Sequence, residues 1–533
     1  MIWVTPLLIK LLLDDFSVKK YHYIRCRKTK EARMAKVVFV QDIVYEYFGV
    51  MYLSAFLKQN GHACDVVIEY AEKNWLEKIE ALQPDLIAFS VLTGSYKWAL
   101  ERAELLKKKL NKPVVFGGVH VFLNPENTIK QPMVDIVCTG EGEIPLKELC
   151  DSIDRGSIDY SLKGFWFKTR EGDIKKNPPA KLINDLDSIP FADRTIYWKY
   201  PTIKQRDMLP MLGSRGCPYT CTYCFIPSAK KIFEGQGDFI RERSAENILA
   251  EIDYCLALSS AKKNVHFVED HFGNNRKQSL TVLQGISKLK GGKMSWMGAI
   301  RVERFNKEDY VAELSKTNHG LLGIAVECGD EKYRKEILKR DVKNDEIIDA
   351  ANLARKYGIK FTTLNMLGLP GETFEQSLLT LDLNIKINPV YANCYVYQPY
   401  PGTELQKYSV EHHLLDESVI DNIGLSFYDR YWKNNIELNR IINLQRVFGL
   451  IVKFPSLKKP LVYLARNNWR LSVDLIFGIY YAWFLAYIYR LTPGQIFHLI
   501  VLWFGQKFSS GGDPSIESMK QGEGQLYPNM SRG

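Results

Sequence analysis

Short apolar runs alternate with longer amphipathic stretches along most of the chain. From Lys36 onward, the runs KVVFV, DLIAFSV, KPVVFGG and VDIVCTG are rich in Val, Ile and Phe, and helical patterns over 48–60, 71–82 and 95–110 lie between them. Fully apolar strands between amphipathic helices are typical of a parallel sheet that is covered on both faces. The pattern therefore predicts a doubly wound, Rossmann-like α/β domain over residues 36–150.

The same alternation resumes after a stretch with little periodicity. Residues 151–212 include NPPAKLINDLDSIPFADR, whose Pro and Asp residues predict an interdomain linker. Six strand candidates follow, namely MLPMLGSRGC, NVHFVEDHF, SWMGAIRV, GLLGIAVECG, GIKFTTLNMLGLPG and NCYVYQPYPG. Helical patterns separate them, at 244–259, 306–316, 331–337 and 344–357. These units predict a partial (β/α)6 TIM-like barrel over 213–410, with its chemistry at the carboxyl ends of the strands.

The two ends of the chain differ from this pattern. Residues 1–35 hold an apolar run without a small-residue cleavage site, so we expect an N-terminal appendage, with folding from the second methionine, Met34. A helical, apolar and basic region is predicted over 411–508, and 441–505 carry seven Lys or Arg and one acid. These helices are expected either to pack on the barrel or to lie in a membrane surface. Residues 509–533 are predicted to be disordered.

Composition narrows the class of protein. A chain of 533 residues with 46% hydrophobic and 25% charged residues is a globular protein of two or three domains. Its ten cysteines are too few for a disulfide framework, and no convincing secretory signal precedes them, so we expect the reducing cytoplasm. The net charge of +10 is modest for this length and does not by itself indicate a nucleic-acid partner.

Three cysteines lie on one loop after the first predicted barrel strand. They are Cys217, Cys221 and Cys224, in GSRGCPYTCTYCF. Structural zinc sites close with four ligands, commonly two Cys-x-x-Cys pairs, and no second pair follows here. Cysteine thiolates also hold iron–sulfur clusters, and three of them on a cubane leave one iron open to a small chelating molecule. The loop therefore favours a [4Fe-4S] cluster.

This loop, with Tyr223 directly before its last cysteine, is identified as the signature of the radical S-adenosylmethionine superfamily. The stretches SVLTGS, GGVH and TGEGE within 36–150 resemble the cobalamin-binding domain found in front of many such enzymes. The resemblance implies a [4Fe-4S] cluster on the three cysteines, S-adenosylmethionine on the open iron, and cobalamin in the first domain. The residues that it implies for cobalamin are Ser90, Thr93, Gly117, Gly118, His120, Gly140 and Glu141.

The first domain departs from the histidine-ligated cobalamin domains in one respect. Those proteins have Asp-x-His-x-x-Gly after the first strand, whereas QDIVYEYFG offers Asp42 and Gly49 but no histidine. The expected cofactor is therefore cobalamin without a protein histidine ligand. His120 is the nearest alternative, although a histidine after a Gly-Gly turn is more often a hydrogen-bonding loop residue. A degenerate domain that binds nothing is the remaining interpretation.

Polar residues at the ends of the other barrel strands fit the same resemblance. It implies that Glu269 and Asp270 contact the methionyl amine or ribose, and that Arg301 pairs with the methionyl carboxylate. Glu327, where the family has Gly-x-Glu-Ser, would bond a ribose hydroxyl. Tyr223 would pack beside adenine, and the turn residues expected along the adenosine are Gly368, Pro370 and Gly371. The alternative for each is an ordinary loop salt bridge or turn.

The resemblance also implies an activity. A cobalamin-dependent radical S-adenosylmethionine enzyme reductively cleaves S-adenosylmethionine to a 5′-deoxyadenosyl radical and functionalises an unactivated carbon, most often by methyl transfer. The alternatives are a non-methylating oxidation or cyclisation, as in the anaerobic magnesium-protoporphyrin cyclase with its similar domain order, and a non-catalytic corrinoid or cluster sensor.

The partners implied are a small-molecule, lipid or tetrapyrrole substrate and an electron donor such as flavodoxin or ferredoxin, with no nucleic acid. If 441–505 touch a membrane, the protein would lie at its inner face.

Overall fold

Two parallel sheets organise the chain. The computed structural model describes residues 34–415 and 435–489, with 419, 423 and 424, and the side chains of 481–489 are not described. The predictions for the N-terminal appendage before Met34 and for the tail at 509–533 lie outside the described residues.

The first sheet has seven strands in the order β2-β1-β3-β4-β5-β6-β7. Its strands are β1 (Lys36–Gln41), β2 (Ala63–Ile68), β3 (Leu86–Ser90), β4 (Val114–Gly117), β5 (Ile136–Cys138), β6 (Phe165–Lys168) and β7 (Ile174–Lys176). The first five are parallel, and β6 and β7 add an antiparallel edge. The chain reverses its winding between β1 and β3, and ligands of doubly wound sheets bind beyond the strand ends at such a switch point.

Both faces of this sheet are covered. Val37 and Phe39 of β1 point into one core, and Val38 and Val40 point into another, with all four at most 3% exposed. The covering helices are α1 (Phe48–Gln59), α2 (Trp75–Leu82), α3 (Tyr96–Leu110), α4 (Val119–Leu123), α5 (Pro125–Ile129) and α6 (Glu143–Asp154). The doubly wound fold predicted from the sequence is confirmed.

Residues 151–212 contain more structure than a linker requires. Strands β6 and β7 belong to the first sheet, and Phe165 and Phe167 of β6 are fully buried. Two short helices follow, α7 (Thr195–Trp198) and α8 (Pro201–Lys204). The sequence analysis missed the two strands because they are three and four residues long, too short for a clear period.

The second sheet has six parallel strands in the order β15-β14-β13-β12-β11-β8. They are β8 (Met208–Met211), β11 (Asn264–Phe267), β12 (Ser295–Ile300), β13 (Leu322–Glu327), β14 (Phe361–Leu367) and β15 (Tyr391–Val396). A separate two-stranded hairpin, β9 (Ser214–Arg215) with β10 (Arg241–Glu242), carries the start of the cysteine loop. All six predicted barrel strands are present in sequence order, so the partial barrel is confirmed.

Helices alternate with these strands. They are α9 (Ile226–Ile232), α10 (Ala245–Leu258), α11 (Arg276–Ile286), α12 (Val302–Phe305), α13 (Glu308–Ser315), α14 (Glu331–Glu336), α15 (Asn344–Lys356), α16 (Phe374–Ile387) and α17 (Glu404–Glu411). Several begin at a side-chain cap, such as Ser244 before α10 and Thr373 before α16. In such a barrel the carboxyl ends of the strands gather the functional side chains.

Three helices form the C-terminal part: α18 (Ile436–Lys453), α19 (Lys458–Arg466) and α20 (Arg470–Tyr489). Ile442 and Phe448 of α18 share a core with Leu367 of β14 and Ala392 of β15, so this helix packs on the barrel. Within the described ranges, no helix combines the length and the apolar composition that a membrane crossing needs.

A buried ion cluster joins the two halves. Glu251 of α10 accepts from Arg194 at 3.1 Å and pairs with Arg243 at 2.6 Å, and all three side chains are at most 5% exposed. Arg194 also lies over the ring of Phe48 in α1. The cluster therefore connects the barrel to the first domain through the segment before α7.

Candidate active site

The cysteine loop begins at a residue that only glycine can occupy. Gly216 has φ +86°, and a Cβ there would lie 2.2 Å from the carbonyl oxygen of Phe239. Cys217 and Cys221 are buried and Cys224 is half-buried. Burial, with smaller contributions from Asp270, Cys221 and Cys217, raises the pKa of Cys224 to about 12. The three thiols therefore occupy one small volume after β8.

In the described part of the chain, no three His, Cys, Asp or Glu side chains converge on the position of a single metal ion. That is compatible with a cluster, because each thiolate of a cluster binds a different iron. Three thiols on one loop, with a cation beside Cys221, form a donor set that fits a cluster with one open iron.

The cation beside the thiols is Arg301, at the end of β12. Its guanidinium lies 3.5 Å from the ring centroid of Tyr219, and its Nη1 is 3.7 Å from the Sγ of Cys221. It also pairs with Glu303 at 2.7 Å. The structure thus places Arg301 against the cysteine loop, and its pairing with a ligand carboxylate stays a prediction. Tyr219 and Glu303 were missed, although an aromatic residue between two of the cysteines was a signal for the first.

Two predicted carboxylates meet the same loop from the end of β11. Glu269 accepts from the hydroxyl of Ser214, and Asp270 accepts the backbone N–H of Gly216 at 3.0 Å. Glu269 is half-buried and Asp270 is exposed. Desolvation by the surrounding protein raises the pKa of Glu269 to about 7 and also raises the pKa of Asp270. Both acids therefore contact the residues just before Cys217, and their contacts to the methionyl amine or ribose stay predictions.

A small cleft opens beside Glu269, lined by Ser214, Glu269, His271 and Phe272 among others. His271 is 5% exposed, and neither of its ring nitrogens has a hydrogen-bond partner among the described residues. Burial, with help from Arg301, lowers its pKa to about 4, so the ring is neutral. A buried imidazole without partners indicates a place for a polar ligand. No periodic pattern in the sequence indicates a role for this residue.

Glu327 ends β13 in an unusual conformation. The strand register shifts between Ala325 and Glu327, and Glu327 has φ +68°. Its carboxylate accepts from the hydroxyl of Tyr223 at 3.0 Å and lies 3.4 Å from Arg340. The structure therefore brings Glu327 and Tyr223 together, and Arg340 is a partner that the sequence did not indicate. Their contacts to ribose and adenine stay predictions.

The predicted glycine turn follows β14. Gly368 and Gly371 have φ +73° and +74°, so both need the freedom of glycine. The carbonyl of Pro370 accepts from the hydroxyl of Tyr333 at 2.7 Å, which fixes the turn. A Cβ on Gly368 would lie 2.9 Å from Leu438 of α18, so this glycine also lets the C-terminal helix approach.

The pKa of Glu269 leads to a prediction about pH. An acid whose pKa rises on folding holds its proton more tightly in the folded chain, so the free energy of unfolding falls as pH rises from 4.5 through about 7. We expect Glu269→Gln to remove this loss and to be more stable than the native chain at pH 8 but not at pH 4.5. Urea midpoints at the two pH values measure this, and an equal difference at both would contradict it.

Most of the residues predicted to bind cobalamin lie at the carboxyl ends of β3 and β4 in the first domain. His120 places Nδ1 3.2 Å from the Oγ1 of Thr93, and its buried Nε2 has no hydrogen-bond partner among the described residues. Burial lowers the pKa of His120 to about 4. Gly118 has φ +97°, and a Cβ there would lie 2.6 Å from the backbone nitrogen of Val91. Ser90, Thr93, Gly117, Gly118 and His120 are thus together at the carboxyl end of the sheet.

The loop after β5 has a different environment. A Cβ on Gly140 would lie 2.7 Å from the ring of Phe233, which follows α9. Glu141 has its carboxylate on Arg241 at 2.6 Å and Arg215 at 3.2 Å. These two predicted cofactor residues therefore contact the cysteine-loop region, and any role toward cobalamin stays a prediction. The sequence did not indicate that Arg215 and Arg241 are the partners of Glu141.

Two family models match this chain. The B12 binding domain matches residues 39–150, and the radical SAM superfamily matches residues 211–383. They therefore assign the first sheet and the partial barrel to two known kinds of domain.

Relatives share both domains. An uncharacterized methyltransferase of Pyrococcus horikoshii is 29% identical over 377 residues, which cover 69% of this chain and 79% of the relative. The anaerobic magnesium-protoporphyrin IX monomethyl ester cyclase of Rubrivivax gelatinosus is 26% identical, over 67% of this chain and 65% of the relative. The structure of the cobalamin-dependent S-adenosylmethionine radical enzyme OxsB, with aqua-cobalamin and S-adenosylmethionine bound, aligns with a TM-score of 0.62 and 15% identity over 96% of this chain and 80% of that chain.

Proposed function

We propose that this chain is a cobalamin-dependent methyltransferase of the radical S-adenosylmethionine superfamily, because the radical SAM model matches residues 211–383 and the B12 binding domain model matches residues 39–150. The observation that carries the proposal is the meeting of the three-cysteine loop with Arg301, Glu269 and Asp270 at the strand ends of the barrel. A non-catalytic sensor would need no such arrangement of acids and a cation around the thiols.

The residues have separate tasks in this proposal. Cys217, Cys221 and Cys224 hold the cluster, and Arg301 keeps a positive charge beside Cys221. Glu269 and His271 provide polar groups for S-adenosylmethionine in the cleft, and Asp270 provides another beside Gly216. When bound, the three cofactors supply the one-electron and methyl-transfer chemistry.

In the first domain, the carboxyl ends of β3 and β4 are where we place cobalamin, without a protein histidine ligand. The residue two after Asp42 is Val44, which is buried in the core rather than offered to a ligand. This supports a corrinoid whose lower face is not coordinated from that loop. His120 is the alternative imidazole ligand in this domain, and its Nδ1 lies 3.2 Å from the Oγ1 of Thr93.

An oxidative cyclisation is the second candidate. The magnesium-protoporphyrin cyclase matches 67% of this chain across both domains, which favours a shared architecture. Its substrate is a tetrapyrrole, and we extend the substrate class of this chain to small or lipophilic molecules on that ground. The two candidates differ in whether a methyl group reaches the product.

The test is anaerobic reconstitution with iron, sulfide and hydroxocobalamin, followed by reduction with flavodoxin or ferredoxin. We expect a bound cluster, one corrinoid per chain and cleavage of S-adenosylmethionine, with label from its methyl group appearing on the corrinoid. A cluster without corrinoid would overturn the cobalamin assignment. Corrinoid without label transfer would favour the cyclase alternative.

We also propose that the C-terminal helices contact an anionic membrane surface. Tyr463, Trp469 and Leu471 are 60%, 54% and 79% exposed, and the side chain of the neighbouring Arg470 is 61% exposed. Exposed aromatic and apolar side chains beside basic ones are the features of interfacial helices. The acidic surface of the inner leaflet would complement them.

We expect the holoenzyme to float with vesicles containing phosphatidylglycerol. Trp469→Ser combined with Leu471→Ser should lower binding by at least about a hundredfold, because each buried apolar side chain contributes roughly 1.5–3 kcal/mol and about 1.4 kcal/mol is a tenfold change. The matched control is Leu379→Ser, a change at a residue 48% exposed on α16 of the barrel. Equal binding by the native chain and the double variant would contradict the proposal.

A further inference from the structure

Strand β9 and the glycine after it, directly before the cysteine loop, point successive residues in opposite directions. Ser214 donates to Glu269, and the N–H of Gly216 is 3.0 Å from Asp270, so both face the acids of the barrel. Arg215, between them, faces the first domain instead. This is the alternation of a β-strand, and it connects one short segment to two different parts of the molecule.

On the other side, Arg215 meets the loop after β5. Its Nη2 is 2.6 Å from Glu143, and its Nη1 is 3.2 Å from Glu141. Arg241 donates to both oxygens of Glu141, at 2.6 and 2.9 Å, and to the carbonyl of Ile183 at 2.9 Å. Two arginines of the hairpin thus hold two carboxylates of the B12-binding domain.

The two arginines are also direct cross-strand partners in the hairpin. Like charges opposite each other destabilise a strand pair unless an opposite charge lies between them. Glu141 is that charge, since it contacts both arginines. The four side chains are between 4% and 19% exposed, so removal of the Glu143 carboxylate leaves the mostly buried Arg215 with only its longer contact to Glu141, at 3.2 Å.

An apolar contact reinforces the ion pairs at the same place. Phe233, just after α9, stacks on Phe122 of α4 with ring centroids 5.5 Å apart and closes over Gly140. The helix that follows the cysteines is therefore packed on the carboxyl ends of β4 and β5. The ionic contacts and the aromatic contact hold the cysteine loop against the edge where we place cobalamin.

We propose that Glu141, Glu143, Arg215 and Arg241, here named the ionic strut, are positioning residues that fix the cysteine loop relative to the corrinoid-binding edge. The inference rests on the proposed function, because its purpose is to hold two cofactors at one separation. In this proposal Glu141 acts through its ion pairs with Arg215 and Arg241, and not as the cofactor-binding residue that its motif predicts. The strut acts through Arg215, which lies two residues before Cys217 and whose neighbour Gly216 is bound to Asp270.

The first experiment needs no bound corrinoid. Hydrogen exchange of the full chain is compared for the native protein, Glu143→Gln and a matched control, Glu148→Gln, at an exposed position of the same helix. We expect Glu143→Gln to speed exchange in 139–143 and in 212–217 together, by about tenfold or more, while the control leaves both unchanged. Unchanged exchange in 212–217 would overturn the strut whether or not the chain binds cobalamin.

The second experiment tests positioning in the loaded enzyme. Pulsed electron paramagnetic resonance measures the separation between the reduced cluster and cob(II)alamin. We expect one narrow distance in the native enzyme and in the control Glu148→Gln, and a broadened distribution in Glu143→Gln with iron and corrinoid contents kept. A narrow native distance that Glu143→Gln leaves unchanged would overturn the proposal. Failure of the native chain to bind corrinoid would instead overturn the proposed function, and the exchange experiment would still decide the strut.

Discussion

Cys221→Ala is expected to abolish the reductive cleavage of S-adenosylmethionine, lowering its rate by at least about three orders of magnitude, and to remove most of the bound iron. Cys221 is the buried middle cysteine of the loop and the one whose Sγ meets Arg301 at 3.7 Å. A cubane with two thiolates has a second open iron, which is exposed to solvent and lost readily. Iron and sulfide assays and the absorbance of the anaerobic protein measure the effect.

The matched control is Cys255→Ala. Cys255 is fully buried on α10 in the core under the barrel, away from the cysteine loop. We expect this variant to keep its iron and its cleavage activity and to lose only about 1 kcal/mol of stability, as for a small cavity. A cluster that persists in Cys221→Ala, or one that is lost equally in Cys255→Ala, would show that the loop is not the cluster site.

In the first sheet, the strands that the sequence predicted are those buried on both faces. The alternation in β1, with Val37 and Phe39 in one core and Val38 and Val40 in another, leaves a continuous apolar run that is legible without the structure. Strand β2 was missed because it is an edge strand whose first half is only partly buried. Its residues, ACDVVI, mix polar and apolar positions without a clear period.

In the candidate site, too, local features could be predicted from the sequence, whereas contacts between distant residues could not. The cysteine spacing and the acids after β11 are local features, so the sequence places them correctly at strand ends. The partners of Arg215 lie 72 and 74 residues away, and the pairing of β9 with β10 is only two residues long. Sequence periodicity does not indicate an ion pair between residues so far apart in the chain. Glu141 was therefore predicted from its motif as a cofactor residue, while its ion pairs could be found only in the folded chain.

Glu251→Gln is expected to lower the free energy of unfolding by about 3–5 kcal/mol. Glu251 is fully buried and pairs with both Arg194 and Arg243, so the neutral amide leaves two buried guanidinium groups without a counter-charge. The cost should exceed that of an ordinary lost hydrogen bond, which is about 1 kcal/mol. It should also affect both halves of the molecule, because Arg194 lies against Phe48 of the first domain.

The measurement is urea unfolding followed by tryptophan fluorescence, with Glu246→Gln as the matched control. Glu246→Gln is the same substitution at an exposed position of α10. A surface change of this kind usually alters stability by at most about 0.5 kcal/mol. Replacing Arg194, Arg243 and Glu251 together by Met should recover much of the loss, because no unpaired charge then remains buried. If Glu251→Gln and Glu246→Gln unfold at the same urea concentration, the ion cluster does not stabilise the junction between the two halves, and the apolar contacts around it must do so alone.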